Sequence, residues 1–189
     1  MMYKFCVAFI CVFMINSVSA KDFTVSEHCV GNNSSFELSE LKFSFDFKHV
    51  SKINILNGEA ASSVVSFKNT WLPELHVITT SEDSVSGGIN TRGGYQTLGI
   101  SNIQGLFNKI KYDTSKDMYF LNVKSAMGLT NPNDIQIINH ADYSINIMND
   151  VFDKKDAVYI IRKDDPRIIM LVAEFTEFQL HKLLGHICL

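Results

Sequence analysis

The sequence predicts an α+β fold in which helices pack on one or both faces of a mainly antiparallel sheet. Three patterns support this prediction. Apolar and polar residues alternate over residues 41–48, unbroken apolar runs occupy residues 157–161 and 168–173, and leucines recur at helical spacing within residues 176–187. Alternation is typical of a half-buried strand, an unbroken run of a strand buried on both faces, and a three- or four-residue spacing of a helix.

The first half of the chain is predicted to be a meander of antiparallel strands. The strand at residues 41–48 comes first, and Ile53 and Ile55 continue the extended pattern. Asn57-Gly58 then supplies a dipeptide that is typical of two-residue hairpin turns. Residues 63–67 are the expected partner strand, and residues 75–80 resume an extended pattern. These segments form the first part of the sheet.

The middle of the chain changes character. Ser101 or Asn102 is a suitable N-cap, and the apolar residues that follow are spaced as in a helix over residues 101–111. Residues 118–123 are predicted to form a further strand. This segment therefore interrupts the strand meander with a helix.

A second helical region is predicted at residues 131–152. Asn131-Pro132 resembles a helix start, with a cap followed by proline at the first helical position. Apolar residues three or four apart then favour one broken helix or two short ones, although residues 144–148 could alternate as a strand instead.

The end of the chain is predicted to hold the centre of the sheet. The two apolar runs at residues 157–161 and 168–173 are separated by residues 163–166, in which an aspartate before proline suits a tight turn. An amphipathic helix over residues 176–187 follows, and Gly185 is a point at which it could end.

The first twenty residues have the layout of a secretory signal peptide. Residues 1–4 include one positively charged side chain, that of Lys4, residues 5–15 are apolar, and Val18-Ser19-Ala20 supplies the small residues expected before a cleavage site. About eleven apolar residues cannot cross a bilayer core, which needs roughly twenty. We therefore expect cleavage after Ala20, an exported protein in the periplasm or the medium without a membrane anchor, and one mature domain over residues 21–189.

Export changes the interpretation of the cysteines. Cys6 and Cys11 lie in the predicted signal peptide, which leaves Cys29 and Cys188. An even number of cysteines in an oxidising compartment favours a disulfide between them, whereas two unrelated buried thiols are the alternative. Such a bridge would close nearly the whole mature chain, and the chain-entropy model assigns that loop roughly 5 kcal/mol as an upper figure.

Charge and motifs exclude several function classes. The formal net charge is −3, or −4 without Lys4, and no basic cluster is present, which argues against nucleic acid and anionic membranes as partners. The histidines are scattered, so no metal site is predicted, and no cofactor motif is present. A nucleophile elbow would need Gly-x-Ser-x-Gly, and the nearest segment lacks the leading glycine.

The glycine-rich segment, residues 87–99, is the best candidate for a binding site. It holds five of the ten glycines, and glycine lets the backbone approach a ligand closely. Arg92 offers a fork that matches a carboxylate or phosphate, Tyr95 offers an amphipathic surface, and Asn90 and Gln96 offer amides. A mobile connector is the alternative interpretation.

Two function classes remain open at this point. The favoured one is an exported, non-catalytic binding protein that recognises another protein by surface complementarity, of which a periplasmic inhibitor or immunity-type protein would be an example. The alternative is a small secreted hydrolase. Its carboxylate and histidine site would be assembled by the fold from Glu174, His140 or His181.

Overall fold

The computed structural model describes residues 36–38, 41–44, 47–56, 62–69, 71–129, 135–152 and 154–188. The predicted signal peptide, Cys29 and the predicted turn at Asn57-Gly58 lie outside these residues. Within these ranges, no helix combines the length and the apolar character that a membrane span requires.

The described residues form ten strands and several short helices. The strands are β1 (Phe36–Leu38), β2 (Leu41–Phe43), β3 (Val50–Leu56), β4 (Ser62–Phe67), β5 (Leu75–Ser81), β6 (Ile135–Asn139), β7 (Tyr143–Phe152), β8 (Lys155–Arg162), β9 (Arg167–Ala173) and β10 (Ile187–Cys188). The α-helices are α1 (Glu82–Val85), α2 (Gly94–Leu98), α3 (Ile103–Tyr112), α4 (Met118–Ala126) and α5 (Glu177–Leu184), and a 3-10 turn covers Phe47–His49.

One antiparallel sheet contains seven of the strands, in the order β3-β4-β5-β9-β8-β7-β6. Strand β9 is the middle strand of this sheet and β8 is its neighbour. The central strands predicted at residues 157–161 and 168–173 are therefore confirmed. Their many β-branched side chains suit a pleated surface that is buried on both faces. The strands predicted at residues 63–67 and 75–80 are confirmed as β4 and β5. A second, three-stranded sheet has the order β1-β2-β10.

Both faces of the large sheet are covered, which confirms the predicted α+β class. On one face, Leu183 of α5 and Leu41 of β2 belong to the same buried cluster as Val158 of β8. On the other face, Phe107 of α3 joins Tyr159 of β8 in a second cluster, to which α2 and α4 also contribute. Burying each of these large apolar side chains stabilises the fold by roughly 1.5–3 kcal/mol.

A polar contact attaches α3 to the sheet. Asn146 of β7 is fully buried, and its amide exchanges two hydrogen bonds with Gln104 of α3: Asn146 Nδ2 donates to Gln104 Oε1 at 3.0 Å, and Gln104 Nε2 donates to Asn146 Oδ1 at 3.2 Å. The hydroxyl of Ser144 also donates to Gln104 Oε1. Because a buried amide is costly without partners, this contact fixes how α3 lies on the sheet.

Aromatic and basic side chains join the small sheet and α5 to Trp71. The His49 ring stacks on Trp71 with the ring centroids 4.7 Å apart, and Lys182 Nζ lies 4.3 Å from the Trp71 ring centroid. Ser44 Oγ is 3.3 Å from Nδ1 of His186. Burial, together with the charges of Lys182 and His49, lowers the pKa of His186 below 6.5. The fold therefore favours neutral His186.

The helical prediction for residues 131–152 is wrong. From residue 135 onward this region is the hairpin β6–β7, in which Ile138 lies opposite Ile145 and Ile135 opposite Met148. The predicted helix start at Asn131-Pro132 lies outside the described residues. The spacing of the apolar residues is compatible with both a helix and a strand. The repeated isoleucines favour the strand, because β-branched residues have a higher propensity for strands than for helices.

The strand predicted at residues 118–123 is also wrong, because these residues belong to helix α4. The Asp117 carboxylate accepts a hydrogen bond from the Phe120 amide at 2.8 Å, which is a typical N-cap. Gly128, with a φ of +72°, adopts the left-handed conformation just after the helix. These two end signals outweigh the local alternation.

Two further predictions were too long. The strand at residues 41–48 ends at Phe43, since its partners β1 and β10 have only three and two residues. The predicted helix at residues 176–187 begins behind the cap Thr176 and ends at Leu184, before Gly185. Ile187 instead pairs with Phe43 in the small sheet.

Candidate functional site

A cleft of about 900 Å³ lies between the glycine-rich segment and α4. Its floor is the face of the sheet that carries Thr80, Met148, Tyr159 and Met170, which come from β5, β7, β8 and β9. The residues from Ser84 to Arg92 form one wall, and α4 with the turn after it forms the other. We call this the α4 cleft. Its size is within the range of roughly 300–1,000 Å³ that is usual for ligand sites.

The glycine-rich segment is folded rather than extended. Residues 86–93 make successive turns after α1, and α2 begins at Gly94. A side chain at Gly94 would collide with Ile89 and with the hydroxyl of Tyr119 on α4. Glycine is therefore required here for the close approach of this segment to α4. The predicted recognition loop thus forms a wall of the cleft.

Arg92 lies at the mouth of the α4 cleft. Its guanidinium covers Gly88, with Nε 3.5 Å from the position that a Cβ of Gly88 would occupy. Among the described residues that line the cleft, Arg92 is the only charged one. Its side chain is exposed and forms no ion pair with any residue that the structure describes. A guanidinium in this position is free to bind an anionic group.

The other predicted binding residues are not placed together in this cleft. Asn90 and Gln96 are exposed but do not line it. Tyr95 is only 4% exposed and packs in the core beneath the segment, among the residues of α3 and α4. The amphipathic contact surface expected of Tyr95 is therefore not on the outside of the protein.

The hydroxyl of Tyr95 is instead buried near the carboxyl groups of Glu82 and Asp83. Tyr95 Oη, Glu82 Oε1 and Asp83 Oδ1 are buried and have no hydrogen-bond partner among the described residues. Burial, and after it the negative charge of Glu82, raises the pKa of the Tyr95 hydroxyl. This hydroxyl therefore stays protonated at any physiological pH.

An apolar surface on α4 lies next to the cleft. Met118 is 69% exposed, Leu121 is 40% exposed, and Tyr119 is both partly exposed and part of the cleft lining. Tyr112, at the end of α3, is exposed as well. We call these four residues the α4 patch. The sequence analysis did not predict the patch, because it assigned these residues to a strand. Asp117 was the signal for a helix, since aspartate is a good N-cap and directly precedes α4.

The floor of the α4 cleft is rigid on one side and adaptable on the other. The Tyr159 ring packs against Phe107 at 5.3 Å between centroids, and burial raises the pKa of Tyr159 to about 12, so this phenol stays neutral. Met148 and Met170 line the remaining floor. Methionine is unbranched and polarisable, so it adapts to apolar groups of different shape.

Two residues of the hydrolase alternative, His140 and Glu174, lie at opposite ends of the sheet. His140 lies in the turn between β6 and β7, where its ring stacks on Tyr143 at 4.6 Å. Glu174 follows β9 at the other end of the sheet and lies in a cleft with Asp150 and Asp156. Tyr143 pairs with Arg162 and Ala173 pairs with Asp156, and the six residue steps of β8 between these positions separate the two ends by about 20 Å.

The acidic cleft around Glu174 includes the half-buried carboxyl group of Asp156. Burial, with further contributions from the negative charges of Asp150 and Glu174, raises the pKa of Asp156. His181 lies on α5, half-buried, four residues after Glu177. Within the described ranges, no three histidine, cysteine, aspartate or glutamate side chains are arranged so that they could hold a metal ion.

Comparison of the chain with protein-family models, with curated proteins and with solved structures finds no match.

Proposed function

We propose that this chain is an exported, non-catalytic binding protein that recognises another protein through the glycine-rich segment and the α4 patch. One observation carries the proposal: Arg92, which is exposed and forms no ion pair with the described residues, lines the same cleft as Tyr119, and Met118 and Leu121 on the same helix as Tyr119 are exposed. Arginine, methionine, tyrosine and other aromatic residues are enriched in protein interfaces. Met118 and Leu121 are three residues apart on α4, hence on one face, and exposed apolar side chains that are grouped in this way are typical of interaction surfaces.

The charge pattern favours a partner that presents acidic groups. Arg92 has no carboxylate of its own chain among the described residues, so a partner carboxylate could bind it in the bidentate geometry that guanidinium favours. Leu121 and Met118 would supply the apolar contact around that pair. An inhibitor or an immunity-type protein of the periplasm would act in this way, by covering a surface of its target.

Export and the Cys29–Cys188 disulfide belong to the same proposal. Cys188 lies in β10, on one edge of β2, and β1 lies on the other edge, so β1 and β10 are about 10 Å apart. β1 begins at Phe36, seven residues after Cys29. Seven residues can span about 24 Å, so the bridge is within the reach of the chain.

Affinity capture from the native host tests this proposal. Tagged, processed protein is used as bait, and the co-purifying proteins are identified by mass spectrometry. We expect a stoichiometric partner that is lost on Arg92→Ala and on Leu121→Asp. Arg167→Ala is the matched control, because Arg167 is an exposed arginine at the β8–β9 turn that is bonded to Asp165 and belongs neither to the α4 cleft lining nor to the α4 patch. A partner retained by both test variants, or lost equally with the control, would contradict the proposed surface.

A further inference from the structure

The α4 cleft combines an apolar interior with a single charge at its mouth. Its polar lining residues are mostly small hydroxyl and amide side chains, and the remainder are apolar. The apolar members are Val85, Ile89, Val123, Ala126, Met127, Met148, Val151 and Met170. Many ligand sites have this composition, with apolar walls that supply affinity and a few polar groups that fix orientation.

The one charge determines which ligand the cleft would take. Arg92 is the only charged lining residue that the structure describes, and no described carboxylate neutralises it. A second anionic group on a ligand would find no second cation in the lining. A neutral ligand would leave the guanidinium without a charged partner. The complement of this cleft is therefore an apolar body with one oxyanion.

We propose that the α4 cleft binds a small amphiphile with one negative charge, such as a medium-chain carboxylate. The oxyanion pairs with the Arg92 guanidinium, and the apolar body lies against Met148 and Met170 on the floor of the sheet. This site goes beyond the proposed protein partner. The amphiphile and the partner would share Arg92, but the amphiphile enters the cleft, whereas the partner also contacts Met118 and Leu121, which lie outside the cleft lining.

A pair of fluorescent probes tests the site without knowledge of the natural ligand. The anionic probe is 1-anilinonaphthalene-8-sulfonate, and the neutral probe is N-phenyl-1-naphthylamine, which has the same ring system without the sulfonate. We expect saturable binding of both to the processed wild-type protein. Arg92→Ala should weaken the anionic probe about tenfold, as for a lost charge-assisted pair, and the neutral probe less than about twofold. Decanoate should displace the anionic probe at lower concentration than decanol does.

Two further variants keep the test decisive. Arg167→Ala also removes an exposed arginine and should leave both affinities unchanged. Ala126→Trp places a large ring at the cleft from an exposed position on α4, so the protein should fold while both probes bind more weakly. Thermal unfolding of each variant shows that the probes report the cleft and not a loosened core.

Equal weakening of both probes by Arg92→Ala, or unchanged affinity in Ala126→Trp, would overturn the proposed site. Leu121→Asp separates the two proposals, because Leu121 lies outside the cleft lining and the change should abolish partner capture while both probes still bind. Intact probe binding without a captured partner would reject only the protein-binding function. A captured partner with no saturable probe binding would reject only the amphiphile site.

Discussion

The buried amide pair between α3 and the sheet gives a quantitative prediction. Asn146→Ala removes two hydrogen bonds to Gln104 and leaves the Gln104 amide without those partners. Each bond contributes about 0.5–1.5 kcal/mol net, and a buried group left without its partner costs about 1–3 kcal/mol. We therefore expect Asn146→Ala to lower the free energy of unfolding by about 2–4 kcal/mol.

Gln104→Ala should cost at least as much, about 2–4 kcal/mol, because it leaves the fully buried Asn146 amide without these partners, whereas Asn146→Ala leaves only the half-buried Gln104. Since both single changes break the same contact, the double variant should be less destabilised than the sum, by about 1–2 kcal/mol. Urea unfolding followed by the fluorescence of Trp71, the only tryptophan in the chain, measures all three. Gln96→Ala, at an exposed position on α2, is the control and should change stability by less than about 0.5 kcal/mol.

A coupling energy below about 0.5 kcal/mol would refute the argument, because that is the additivity expected of independent sites. Equal destabilisation by the exposed control would refute it too. Either result would mean that α3 is held by its apolar face alone, through residues such as Phe107.

Three further predictions concern stability. Gly94→Ala should destabilise the protein by about 1–3 kcal/mol in urea unfolding, because the added Cβ collides with the side chain and the backbone oxygen of Ile89. Gly185→Ala is the control: its added Cβ would be 3.5 Å from the nearest atom, so the change should be neutral within about 1 kcal/mol. Equal effects of the two changes would contradict the close approach. Because the folded pKa of His186 is lowered, the unfolded chain binds the proton more readily, so stability should fall as the pH drops below 6.5 and level off below the folded pKa. His186→Asn should flatten that part of the profile, and an unchanged profile would exclude this cause. Finally, the processed, unreduced protein should have no titratable thiol, and Cys188→Ser should cost about 2–5 kcal/mol; two reactive thiols would exclude the bridge.

The centre of the fold could be predicted from the sequence, whereas its middle segments could not. The runs at residues 157–161 and 168–173 are apolar and β-branched without interruption, so every local signal favours buried strands. At residues 135–152 the apolar positions satisfy both periods, and pairing with β8 decides the outcome. At residues 118–126 the alternation is misleading, and the cap at Asp117 decides for a helix.

Only one wall of the candidate site could be predicted from the sequence, because the other parts come from segments that are distant along the chain. Arg92 and the glycines beside it are close in sequence, and their composition alone singled them out. The floor of the cleft comes from β5, β7, β8 and β9, and its second wall from α4. No local pattern tells which strands of a sheet become neighbours, so Met148 and Met170 could not be assigned to the site in advance.

The surface assigned to partner recognition can be tested most directly by hydrogen–deuterium exchange on the processed protein, alone and with its captured partner. The proposed function predicts slower exchange in residues 84–92 and 118–128 when the partner is bound, with little change in β6 and at the β8–β9 turn. Slower exchange confined to the acidic cleft around Glu174, or to the exposed end of β3 at Ile55 and Leu56, would contradict it.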